Sequence, residues 1–175
     1  MRGALDELDS VLIGAIVDLR RAIFALRPLD LEVHGFLPAL AQLVADFGDQ
    51  NQMLAQLKLS GSLDILPKGY ELPLFRIIQE GLNNVGQHAS ASEVLVRVDV
   101  SRAGAIVVSV RDNGGGFDPH LLDPTDRSGH FGLRQMRERI VDLGGTLDIH
   151  SRFGQGTELA ITFPPLTRQV HYGAG

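Results

Sequence analysis

Two valine-rich runs, SEVLVRVDVS (92–101) and GAIVVSVRDN (104–113), constrain this chain most. Their β-branched content and alternating polarity read as strands. Only a short turn around Ala103-Gly104 separates them, which predicts an antiparallel hairpin. TLDIHS (146–151) and GTELAITFP (156–164) repeat the arrangement across the glycine turn RFGQG. QMLAQLKLSG (52–61) alternates as a further strand, with Met53, Leu57 and Leu59 among the expected inward positions.

Between the strand runs lie helical patterns. GFLPALAQLVADFG (35–48) places Leu40, Leu43, Val44 and Phe47 on one face, with Gly48 as its expected stop. A helical pattern follows Pro67, and Pro73 is the expected start of its main helix. FGLRQMRERIVDLGG (131–145) is a helix closed by Gly144. After residue 50 the order is strand, helix, two strands, loop, helix, two strands. Short links between neighbouring strands predict a mixed or mostly antiparallel sheet with helices on one face. That is an α+β fold, a two-layer α/β sandwich.

Residues 5–27 follow another rule. Leu5, Leu8, Leu12, Ala15, Leu19, Ala22 and Leu26 step by alternating threes and fours, a heptad seam ended by Pro28. Such a seam suits a helical hairpin or a coiled coil. The predicted organisation is 1–28 as part of a helical hairpin, 29–165 as the main domain and 166–175 as a mobile tail.

Composition bounds the function. The chain has 175 residues, 44% apolar and 21% charged, as a globular domain with a helical appendage would. A net charge of −5 without a sustained basic run argues against nucleic acid as a partner. The absence of cysteine excludes disulfides, thiolate nucleophiles and cysteine-ligated zinc, and is compatible with a cytoplasmic setting. The longest apolar run, VLIGAIV, is too short to span a bilayer, so no membrane segment is expected in this chain.

Four stretches carry polar groups suited to chemistry. Glu80, Asn84 and His88 recur at i, i+4 and i+8, along one helix stripe opposite the apolar Leu74, Ile77, Ile78, Leu82 and Val85. A solvated helix face has the same look. In the chemical reading, Asn84 offers an amide oxygen suited to Mg²⁺, and Glu80 a carboxylate able to orient or deprotonate a nucleophile. Asp112 ends a strand and is followed by Gly114, Gly115 and Gly116, where a flat ligand could approach bare backbone. Asp-Asn-Gly is also an ordinary turn signal. An EF-hand loop is excluded, because glycines stand where oxygen-bearing side chains are required. SGHFGL (128–133) leads glycines into a helix start, whose free N–H groups suit phosphate. SRFGQGTELAI supplies Gly154, Gly156 and Thr157, and no Walker loop occurs anywhere.

In this order the four stretches resemble the ATP-binding domains of the gyrase, heat-shock-protein-90, histidine-kinase and MutL superfamily, the Bergerat (GHKL) fold. RIIQEGLNNVGQHA is similar to its N box, DNGGGF to its G1 box, GHFGL to its G2 box and GQGT to its last glycine box. The resemblance covers roughly residues 35–164. Within the superfamily, GLRQMRERIVDLGGTLDIHSRFGQGTELAITFP is similar to two-component sensor histidine kinases that pair with helix-turn-helix (NarL-type) response regulators. LRRAIFALRPLDLEVHGFLPAL resembles the end of their dimerisation helix.

The resemblance implies a histidine kinase catalytic domain that binds Mg–ATP and passes the γ-phosphoryl group to a histidine on its dimerisation hairpin. The acceptor helix is missing from this chain; a homodimer and a response-regulator receiver domain are the implied partners. Position by position, it makes Asn84 the Mg²⁺ ligand and Glu80 the candidate general base. Asp112 would accept from the adenine amino group. Gly114 and Gly116 would make room for the base and hinge a lid over residues 117–131. Gly132 and Leu133 would sit at the phosphate end, and Thr157 would support the adenine side near Asp112. Phe117 joins the nucleotide-contacting set, as does His88 from a supporting position. Gln87 stands where many N boxes carry Lys or Arg, so one phosphate contact would either be lost or come from Arg76 or Arg127. Gly81 and Gly86 lie inside the N-box helix and imply close packing or nucleotide-dependent ordering. Two other functions fit the motifs: a serine kinase of an anti-sigma-factor switch, which would not need the heptad helix, and a nucleotide-responsive binding module without turnover. His34 is not expected to be the acceptor, since no E-L-H-D-like stretch surrounds it.

Overall fold

A computed structural model describes residues 29–119 and 131–165. The expectations for the heptad helix, the centre of the lid and the tail lie outside these residues. The chain divides into two compact units, one ending at Ala39 and one beginning at Leu40. In the first, helix α1 (Leu29–His34) ends at Gly35, where φ is +81°.

Helix α2 (Phe36–Asn51) runs past Gly48, the expected stop. It ends one turn later, at Gln52 with φ +53°, where the Met53 N–H reaches back to the Gly48 carbonyl at 3.1 Å. That six-to-one bond is a Schellman closure. Gly48 serves packing instead: a Cβ there would stand 3.0 Å from the Ala55 Cβ.

Strands β1 (Leu54–Gly61), β2 (Glu93–Val100), β3 (Ile106–Asp112), β4 (Thr146–Ser151) and β5 (Thr157–Phe163) form one sheet in the order β1-β2-β3-β5-β4. β1 and β2 pair in parallel, and the other three pairings are antiparallel. A parallel pair needs a crossover, and helix α3 (Lys68–Asn84) lies within it. The sheet is thus mixed, with both predicted hairpins in place. Met53 and Leu57 are half-buried, whereas Leu59 is exposed toward the end of the edge strand.

One sheet face is apolar. Val94, Val96, Val98 and Val100 of β2, Val108 and Val110 of β3, and Leu159, Ile161 and Phe163 of β5 are all buried. Leu74, Ile77, Ile78, Leu82 and Val85 are buried as the helical pattern required. Met136 and Ile140 of helix α4 (Phe131–Asp142) join them. Each such side chain contributes about 1.5–3 kcal/mol relative to exposure. Alternate residues of the strands, among them Glu93, Arg97, Val107 and Arg111, are exposed on the other face. The architecture is the expected two-layer α+β sandwich. No helix among the described residues is long and apolar enough to cross a membrane.

Helix α3 starts at Lys68, after Pro67, and carries Pro73 inside it rather than at its start. Pro73 removes one early helical bond, to the carbonyl of Gly69. Gly69 is an exposed residue. The Tyr70 hydroxyl donates to the Leu143 carbonyl at 3.2 Å, and its ring meets Phe163 edge-on at 5.4 Å. These contacts join the start of α3 to the end of α4 and to the sheet. Gly144, at φ +75°, closes α4 as predicted: the Gly145 N–H bonds Ile140 O and the Gly144 N–H bonds Val141 O.

Gly81 and Gly86 are explained by close packing. A Cβ at Gly81 would lie 3.0 Å from Val110 of β3, and one at Gly86 would lie 3.2 Å from the Phe47 ring.

Candidate functional site

Glu80 and Asn84 sit one turn apart near the end of α3, both half-buried. Gly132, in the first turn of α4, faces them. A Cβ on Gly132 would overlap Glu80 Oε1 and stand 3.9 Å from Asn84 Oδ1. A carboxylate, an amide oxygen and the N–H-rich start of a helix thus converge on one spot. Leu133, next in α4, is half-buried. The Asn84 Nδ2 atom is buried and lacks a hydrogen-bond partner among the described residues. A buried orphan donor is costly and calls for an acceptor.

The polar stripe does not continue to His88. After Asn84 the backbone widens into a π-turn, Val85–Ala89, so the i+8 position leaves the stripe and His88 is exposed. The turn ends at Ser90 in the left-handed region, φ +49°. It also carries the backbone to the opening glycines of the second cluster. The Gly115 N–H donates to the Ala89 carbonyl at 2.7 Å, and a Cβ on Gly114 would collide with that same carbonyl.

Asp112 closes β3 on the inner face and is buried. Its Oδ1 accepts the Gly114 N–H at 2.7 Å, leaving Oδ2 without a hydrogen bond among the described residues. Continuing the β3–β5 register by one residue beyond Arg111↔Glu158 sets Thr157 beside Asp112. Gly156, at φ +76°, allows this approach, since a Cβ there would overlap the Asp112 carbonyl.

Gly114 and Gly116 make room for the protein's own backbone. Gly116, at φ +60°, presses against the Arg152 carbonyl. Gly115 accepts from the Gly154 N–H at 2.6 Å while donating to Ala89. Just before them, Asn113 Oδ1 accepts from the N–H groups of Ser92 and Glu93, both at 3.0 Å. Just after them, the Phe117 N–H donates to the Ser151 hydroxyl at 2.8 Å. The expected hinge is a strap pinned at successive residues.

The structure therefore gathers the sequence-predicted residues into two clusters bridged by the π-turn. Glu80, Asn84, Gly132 and Leu133 form one; Asp112, Gly114, Gly116, Phe117 and Thr157 form the other. Sequence reasoning missed Asn113 and Ser151. The signal for Ser151 was a hydroxyl at the last strand position before a glycine turn, six residues before Thr157.

Gln87 is exposed. Arg76 lines a groove of about 390 Å³ between α3 and α4, with Leu72, Pro73, Arg139, Asp142 and Leu143. Burial, and then the nearby Arg139, lower its pKa from the ordinary arginine value. Its guanidinium also donates to Gln79 Oε1 at 3.0 Å. Arg127 lies outside the described residues.

Residues 69–167 match the model of the histidine kinase-, DNA gyrase B- and HSP90-like ATPase family. The chain is 32% identical over 163 residues to the signal transduction histidine-protein kinase/phosphatase DegS of Brevibacillus brevis, covering 93% of this chain and 41% of that one. It therefore spans about two fifths of that relative. The histidine kinase AdeS of Acinetobacter baumannii has a similar fold, with a TM-score of 0.62 at 17% identity over 91% of this chain and 85% of that one. So does full-length ShkA, solved in complex with AMPPNP, with a TM-score of 0.54 at 22% identity over 74% of this chain and 29% of that one. By its motifs, its fold and this match, the chain belongs to the histidine kinase-, DNA gyrase B- and HSP90-like ATPase family.

Proposed function

We propose that this chain contains the ATP-binding catalytic domain of a two-component sensor histidine kinase. The observation that carries the reading is the pair of clusters: acceptor oxygens at Asp112 and Thr157, bridged to an oxygen-lined helix start at Glu80, Asn84 and Gly132. The first suits a base with an amino group, the second a polyphosphate. The AMPPNP complex of ShkA supports a nucleotide in this fold.

Asp112 binds the adenine amino group through Oδ2, with Thr157 alongside. Phe117 and the strap Gly114–Gly116 border the base. Gly132 and Leu133 present the start of α4 to the phosphates. His88 acts from the rim, on the π-turn. Arg76 lies one turn, roughly 5.4 Å, before Glu80 along the same helix and adds positive charge toward that end.

The residues fit Mg²⁺. A carboxylate and phosphates can share the helix start only if a cation lies among them, and the Asn84 amide supplies a neutral oxygen there. The orphan Nδ2 then donates to a phosphate oxygen. When bound, Mg²⁺ neutralises phosphate charge.

The acceptor is an imidazole on the dimerisation hairpin. A bond forms from its nitrogen to the γ-phosphorus as the bond to the β–γ bridging oxygen breaks, and that electron pair leaves with ADP. Glu80 takes the imidazole proton. The site contributes positioning and charge stabilisation. In the whole protein, a homodimer in the cytoplasm then passes the phosphoryl group to a receiver-domain aspartate of a NarL-type response regulator.

The test is a titration of ATP with and without Mg²⁺, on the native chain and on Asn84→Ala. Native affinity rises with Mg²⁺; Asn84→Ala loses that rise, weakening Mg–ATP about tenfold or more, as removal of a charge-assisted contact of about 1.5–3 kcal/mol implies. An unchanged Mg²⁺ dependence in the variant removes Asn84 from the metal site. Phosphorylation of a separately supplied acceptor hairpin then distinguishes a kinase from a binding module.

A further inference from the structure

Ser151 is the last residue of β4 and belongs to neither cluster. Its hydroxyl meets three groups: the Phe117 N–H at 2.8 Å, the Gly156 carbonyl at 3.2 Å and the Thr157 hydroxyl at 2.9 Å. A serine hydroxyl has one proton and two acceptor lone pairs. The amide of Phe117 can only donate, so Ser151 accepts from it. The carbonyl of Gly156 can only accept, so Ser151 gives it the one proton. The remaining contact is satisfied only if Thr157 is the donor to Ser151.

That assignment fixes the polarity of Thr157. Its single proton points to Ser151, and its oxygen offers lone pairs alone to any other partner. Asp112 lies across from Thr157 when the β3–β5 register is continued one residue beyond Arg111↔Glu158, and its Oδ2 is likewise an acceptor. Two neighbouring acceptors match a group with two hydrogens, directly or through a bound water. They disfavour a carbonyl oxygen at the same place.

We infer that Ser151 is a specificity-determining residue: by taking the Thr157 proton, it makes the pocket select an amino-bearing purine over a carbonyl-bearing one. Ser151 acts through Thr157 and is a positioning residue. The inference rests on the nucleotide reading of the site.

The test compares ATP with inosine triphosphate, which carries a carbonyl in place of the amino group. Both compete against a fluorescent ATP analogue on the native 175-residue chain, Ser151→Ala and Ser151→Thr. In Ser151→Ala, Thr157 is free to donate outward. The preference for ATP over inosine triphosphate falls about three- to tenfold, the size of one net hydrogen bond. Ser151→Thr retains the hydroxyl and restores the preference. A merely structural role weakens both nucleotides equally and leaves their ratio unchanged; that result overturns the inference. If the native chain binds neither nucleotide, the reading of the site fails and the inference with it. Binding of ATP by the native chain with an unchanged ratio in Ser151→Ala overturns the inference alone.

Discussion

Gly156→Ala is expected to destabilise the fold by about 2–4 kcal/mol, seen as a lower denaturant midpoint. Two penalties combine at this position. The backbone holds φ at +76°, which an L side chain rarely adopts, and the new Cβ would overlap the Asp112 carbonyl. Neither obstacle is a movable side-chain tip. The neighbouring glycines give an internal control. Gly114→Ala meets the Ala89 carbonyl and is similarly disruptive, although Gly114 carries no positive φ. Gly115→Ala is nearly neutral, within about 0.5–1 kcal/mol of native. Its nearest neighbour would be 3.7 Å away, and both of its hydrogen bonds use backbone atoms that alanine keeps. A ranking with Gly115→Ala as damaging as Gly156→Ala would mean that the strap is not built as described.

Asp112→Asn is the second large effect, and it falls on binding rather than folding. Asp112 is buried with one carboxylate oxygen taken by the Gly114 N–H. Asparagine can keep that acceptor. The cost is at the other atom, where an acceptor becomes an N–H₂ donor facing the donor amino group of adenine. A lost charge-assisted bond and two opposed donors together predict a 100-fold or greater rise in the ATP dissociation constant, about 3 kcal/mol. The unfolding midpoint moves little by comparison. Calorimetric titration and chemical denaturation on the same sample separate the two effects. Native-like ATP affinity in Asp112→Asn would remove Asp112 as the base-reading group.

These expectations depend on parts of the site that were unevenly legible in the sequence. Periodicity placed the strands, the helical core residues and the Gly144 closure, because burial imposes periods of 2 and 3.6 on any chain. The resemblance to the G1 and last glycine boxes places Asp112 and Thr157 in one site from the sequence. Local signals failed where tertiary contact outweighed propensity. Gly48 looked like a stop, but its missing Cβ admits Ala55. Pro73 looked like a start, but the helix tolerates it beside an exposed Gly69. The straight stripe to His88 failed because a π-turn resets the helical phase. The triple glycine read as a hinge, whereas the carbonyls of Ala89 and Arg152 constrain Gly114 and Gly116 from 25 and 36 residues away in the chain, spacings no local pattern can show. Ser151 shows in the sequence only as a hydroxyl before a glycine turn; its role lies in what that hydroxyl touches.

The central claim is that the two clusters form one nucleotide site. Backbone amide shifts of the isotopically labelled chain, followed through a titration with Mg–ATP, test it most directly. The account predicts saturable changes with one common dissociation constant at Asn84, Asp112 to Phe117, Gly132 and Thr157. Adenosine should reproduce those at Asp112 to Phe117 and Thr157 and leave Asn84 and Gly132 unmoved. Changes centred on the groove of Leu72, Arg76 and Leu143, or none at Asp112 and Asn84 at saturating Mg–ATP, would contradict it.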